Sequence, residues 1–72
     1  MMPQARIRRM AVQSAAYELR VHPERDYVDM DTAADVATRA NEILRNTSLW
    51  GFMVDYEDLD ADEVVDILDI DI

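Results

Sequence analysis

Residues 32–46 read TAADVATRANEILRN, and the reading of this stretch decides the fold class. Ala33, Val36, Ala37, Ala40, Ile43 and Leu44 fall at i, i+3, i+4, i+7, i+10 and i+11, a single apolar stripe along an α-helix. Thr32 with Asp35 resembles a capping pair, although Glu or Gln is the usual third residue. Asn46-Thr47-Ser48 then supplies a stop followed by a candidate new cap.

Upstream, residues 3–21 read as a second helix. Pro3 suits the first turn, and Ile7, Met10, Ala11, Ser14 and Ala15 recur at helical spacing opposite a basic face around Arg6, Arg8 and Arg9. His22-Pro23 ends it, because the residue before a proline is pushed out of the α region. Glu24 to Met30 reads as a connection, extended around Tyr27 and Val28. Downstream, Leu49–Tyr56 fits two patterns. Leu49, Phe52, Met53 and Tyr56 make a helix face; Trp50, Phe52, Val54 and Tyr56 make a strand face, and Gly51 weakens the helix. Asp60 can cap a last helix whose stripe is Ala61, Val64, Val65, Leu68 and Ile72. The expected architecture is mainly α, one small domain over residues 1–72 with three to four short helices. Leu49–Tyr56 is its central apolar piece, helix or short strand.

Composition removes several classes of function. The chain has 72 residues and no cysteine, which excludes disulfides, thiolate metal sites and cysteine nucleophiles. With one histidine, the donors of a structural zinc site are missing. A net charge of −9 has the wrong sign for direct nucleic-acid binding. No segment approaches the ~20 apolar residues of a membrane span, and no signal-peptide pattern opens the chain, so a cytoplasmic location is expected. Enzyme activity is not expected. His22 precedes a proline in a turn, and Gly51 is the only glycine, so there is no phosphate-cradling loop. No cofactor is implied.

The charge is unevenly placed. Residues 1–25 carry five arginines and two acids; residues 26–72 carry two arginines and fourteen acids. From Asp55 to Ile72 there are nine acids and no base. Two uses of this run can be argued. The window Asp58–Asp69 places acids at positions 1, 3, 5, 9 and 12, the side-chain ligand positions of an EF-hand loop. Glu63 stands where that loop wants glycine, and Asp69 is shorter than the usual glutamate, so no metal site is assigned. On a helix, however, Asp58, Asp62, Asp66 and Asp69 stand at i, i+4, i+8 and i+11, a stripe of like charges that costs a few tenths of a kcal/mol per pair. Nine carboxylates along eighteen helical residues give a charge every ~3 Å, against a phosphate every ~3.4 Å along one DNA strand. The expected partner-binding residues are therefore Asp55, Glu57, Asp58, Asp60, Asp62, Glu63, Asp66 and Asp69. They would engage the cationic surface of a nucleic-acid-binding protein in place of phosphates. Salt-adapted solubility, a small antitoxin-like or regulatory role, and weak EF-hand-like Ca²⁺ binding are the alternatives. Trp50, Phe52 and Tyr56, just before the run, read first as core and second as an interface anchor.

A short cysteine-free chain, arginine without lysine, and the run Asp55-Tyr56-Glu57-Asp58-Leu59-Asp60-Ala61-Asp62-Glu63 with Asp66 and Asp69 behind it form a profile. That profile resembles the small acidic anti-CRISPR proteins of phages, in particular type I CRISPR–Cas inhibitors of the DNA-mimic kind. The resemblance covers the whole length and contains no motif. It implies binding to a Cascade-type effector subunit at a positive surface that contacts DNA or guide, blocking target DNA in the host cytoplasm. The chain would act as a monomer or homodimer, and Arg6, Arg8 and Arg9 depart from a uniformly anionic decoy.

Overall fold

The computed structural model describes residues 4–25, 27–46 and 58–70. It forms three helices there: α1 Gln4–Glu18, α2 Met30–Arg45 and α3 Ala61–Ile70. No strand occurs among the described residues, and the chain is a small mainly-α domain. The helix-or-strand question at Leu49–Tyr56 lies outside the described residues, as do Asp55, Glu57 and Ile72.

The central stripe is as its spacing predicts. Ala33, Val36, Ala37, Ala40, Ile43 and Leu44 are all buried in α2, and Asn41 is buried with them. The start differs. Asp29, in extended backbone, is the N-cap, and its carboxylate accepts a hydrogen bond from the Thr32 backbone N–H at 2.8 Å. The helix therefore begins at Met30, and Thr32 sits inside the first turn with Asp31 near the positive dipole end. Asn46 closes the helix by donating its backbone N–H to the Ile43 carbonyl at 3.1 Å, next to Arg45 in the last turn.

In α1 the buried face is turned from the expected one. Ile7, Ala11, Val12, Ala15 and Ala16 are buried, while Ser14 is exposed and Met10 only half-buried. The stripe expected from Met10 and Ser14 gives way to one that buries Val12 and Ala16 and leaves the Ser14 hydroxyl in water. The helix also ends at Glu18, three residues short of Val21. Arg20 adopts φ 59°, and its N–H donates to the Tyr17 carbonyl at 3.1 Å while the Val21 N–H reaches the Ala16 carbonyl at 2.8 Å. That pair of bonds is a Schellman cap, which satisfies the last carbonyls before His22-Pro23 is reached. A turn follows, closed by the Arg25 N–H on the His22 carbonyl at 2.9 Å. Beyond it Val28 packs on the core and Tyr27 points to solvent.

The facing stripes of α1 and α2 are rich in alanine: Ala11, Ala15 and Ala16 on one, Ala33, Ala37 and Ala40 on the other. Short side chains let two helices approach closely. They also leave few large groups to bury. Leu44, Val12, Val36 and Val64 are the largest fully buried side chains, each contributing on the order of 1.5–3 kcal/mol. Leu59, Val64 and Leu68 carry α3 and the approach to it into the same core, with Ala61, Val65 and Ile67 partly buried around them. Of the stripe predicted for this helix, Val64 and Leu68 are thus buried and Ala61 and Val65 partly so, while Ile72 lies outside the described residues.

Candidate functional site on the acidic helix

The acidic helix is held at its entry by one buried amide. Asn41 donates from Nδ2 to the Leu59 carbonyl at 3.0 Å and accepts the Leu59 N–H on Oδ1 at 2.7 Å. Both backbone groups of Leu59 are thereby satisfied inside the protein, where leaving one unpaired costs about 1–3 kcal/mol. Asp60 follows as the N-cap. Its Oδ1 accepts the Glu63 N–H at 2.8 Å and its carbonyl accepts the Val64 N–H at 3.1 Å.

The six described residues of the expected acidic surface divide in two. Asp58, Asp60 and Glu63 have structural partners. Glu63 does not reach back toward the cap, as it would in a capping box. It takes a bidentate pair from Arg8 of α1, Nε to Oε2 at 2.8 Å and Nη2 to Oε1 at 2.7 Å. The Arg8 side chain is only 16% exposed, so it belongs to the junction of α1 and α3 and not to an outward basic face. Asp58 accepts from Arg45 Nη2 on both oxygens at 3.2 Å, an exposed pair that contributes little. The run holds no base of its own, and the guanidinium groups that relieve part of it come from α1 and α2.

Asp62, Asp66 and Asp69 are the other half. They stand at i, i+4 and i+7, all exposed, on the side of α3 opposite Val64 and Leu68, and no cation pairs with them among the described residues. Only Asp62, in the first turn, gains from the helix dipole; Asp69 lies in the last turn, where a negative charge is disfavoured. Asp62 and Asp69 are seven helical rises apart, ~10 Å of axis, so the three carboxylates give a charge every ~5 Å. This is sparser than the ~3 Å expected from the whole run. Because residues 61–70 are helical, the Asp58–Asp69 window lies mostly along a rod and does not wrap a cavity. Among the described residues no three acids or histidine gather to hold a metal ion.

Elsewhere, Arg39 lies between Glu18 of α1, at 3.0 Å, and Glu42 of its own helix, at 3.6 Å. The hydrogen bond it donates to Glu18, then the charge of that carboxylate, holds the guanidinium above its ordinary pKa. His22 sits in the turn with Nδ1 3.6 Å from the Glu24 carboxylate. Sequence reasoning missed Tyr17, which is 83% exposed on α1; its position off the apolar stripe was the available signal. No described helix is long and apolar enough to cross a membrane. Comparison of the chain with protein-family models, with curated proteins and with solved structures found no match in any of the three.

Proposed function

We propose that the chain is a non-enzymatic inhibitor or decoy whose acidic helix engages the cationic surface of a nucleic-acid-binding protein. The observation that carries the reading is the division of the acids on α3. Asp58, Asp60 and Glu63 serve the fold, whereas Asp62, Asp66 and Asp69 form one exposed face on which no described cation acts. Like charges at this spacing lower helix stability, and Asp69 also opposes the dipole. A domain with a small core retains them nonetheless. A spacing of ~5 Å lies between one and two phosphate steps of ~3.4 Å, so Arg and Lys side chains that track a strand can bridge to it. Binding occludes the groove by competition, and the net charge of −9 speeds the encounter. The anti-CRISPR profile directs the search to type I effector complexes in a host cytoplasm.

The test is a competition assay with a guide-loaded type I effector and its target DNA duplex. The wild-type chain is expected to block duplex binding, with the block weakening as salt rises. The triple variant Asp62→Asn, Asp66→Asn, Asp69→Asn is expected to lose it while keeping its helical spectrum. If the neutralised chain blocks as well as the original, the decoy reading is wrong and the acids serve solubility.

A further inference from the structure

We infer that the groove between the C-terminal half of α1, the turn at residues 21–24 and Leu68 of α3 receives an arginine side chain of the basic partner. The inference rests on the binding reading above and names the residue type that anchors it. The groove encloses about 260 Å³, the scale of one long side chain, not of a helix. Its floor is apolar, made by Ala16, Val21 and Leu68. One wall is Tyr17, whose side chain stands largely in water beside that floor. At the rim is Glu24, exposed, with the His22 imidazole 3.6 Å from its carboxylate.

These three surfaces match the three parts of an arginine. The methylene stem lies on an apolar floor while the head stays at the rim. The planar guanidinium stacks on an exposed tyrosine face, which attracts a cation through its ring quadrupole. Glu24 then accepts from the fork of N–H donors, a charge-assisted bond with directional preference. Other occupants fit worse. A purely aliphatic anchor strips water from Glu24 without replacing it, an anion is repelled, and a lysine lacks the plane that stacks. Tyrosine and arginine are also the side chains that most often carry the energy of a protein interface.

The experiment uses the full chain and two peptides of equal length, oligoarginine and oligolysine, followed by NMR at low salt. Oligoarginine is expected to shift the Tyr17 ring and the Glu24 amide together with Asp62, Asp66 and Asp69. Tyr17→Ala, at an exposed position, is expected to weaken oligoarginine binding about three- to tenfold and oligolysine binding less than about twofold. Glu24→Gln is expected to weaken oligoarginine binding by several-fold with the fold intact. Shifts confined to the α3 aspartates, with Tyr17→Ala binding unchanged, overturn the groove and leave the acidic face standing. Shifts at Tyr17 and Glu24 alone support the groove and overturn the α3 face. Absence of shifts with either peptide overturns both.

Discussion

Arg20 is the one non-glycine described at positive φ, 59°, and it holds the position where helix C-caps ordinarily place glycine. The bonds around it explain why the conformation persists. The Val21 N–H on the Ala16 carbonyl and the packing of Val21 on the core both require the chain to reverse there. A side chain with Cβ in the left-handed region carries a cost of about 1–2 kcal/mol, partly offset because it also narrows the unfolded ensemble. Arg20→Gly is therefore expected to stabilise the domain by about 0.5–1 kcal/mol, raising Tm by about 2–8 °C in a thermal scan. An unchanged or lower Tm would mean that the exposed Arg20 side chain contributes something no contact here accounts for. The same scale contains the groove's anchor: Tyr17 and Glu24 sit just before and just after this reversal, so the cap sets the spacing between them.

At the scale of the element, α2 shows how local chemistry sets a boundary and a pH dependence together. The Asp29 carboxylate is held below its ordinary pKa of 3.8, first by the hydrogen bond from the Thr32 backbone N–H and then by that from its side chain. A carboxylate with a lowered folded pKa contributes stability above its unfolded pKa and loses it as the pH falls through the folded value. Asp29→Asn keeps an acceptor at the cap but cannot titrate. The wild-type advantage over this variant is thus expected at pH 6 and shrinks steadily below pH ~4, read by urea midpoints at each pH. How far each element could be read from sequence follows from the range of the forces behind it. The stripe of α2 and the cap of α3 at Asp60 depend on neighbours within one or two turns, and their spacing expressed them. In α1 the period was legible, but whether Ser14 or Val12 faced inward depended on which side α2 and α3 occupied. Thr32 looked like a cap because an Asx-type acceptor three residues earlier leaves no apolar signature of its own. Half of the acidic site was legible as a stripe at i, i+4 spacing. The other half was not, because the partner of Glu63 is Arg8, 55 residues away, and no local pattern encodes a pairing that only the packed bundle creates.

Among the described residues, three ion pairs join distant parts of the chain. Arg8–Glu63 joins α1 to α3, Arg39–Glu18 joins α2 to α1, and Arg45–Asp58 joins the end of α2 to the approach to α3. Against these short attractions stands the long-range repulsion of a net −9. The two respond differently to salt. At 0.01 M the Debye length is ~30 Å, larger than the radius of gyration of 11.5 Å, so every acid repels every other. At 0.1 M it is ~10 Å, and repulsion between opposite sides is largely screened. The Arg8–Glu63 bond at 2.7 Å, half-buried and bidentate, is screened much less. Adding salt should therefore remove more repulsion than attraction, raising Tm by about 2–5 °C between 0.01 and 0.2 M NaCl. Over the same range the affinity of the Asp62, Asp66 and Asp69 face for a cationic partner should fall, because that contact is exposed and gains most from unscreened fields. Stability and binding thus carry salt slopes of opposite sign, and both follow from the same excess of acid. A Tm that fell with salt would show that the three arginine pairs outweigh the repulsion. The exposed aspartates would then cost the fold little, and their presence on α3 would call for no partner.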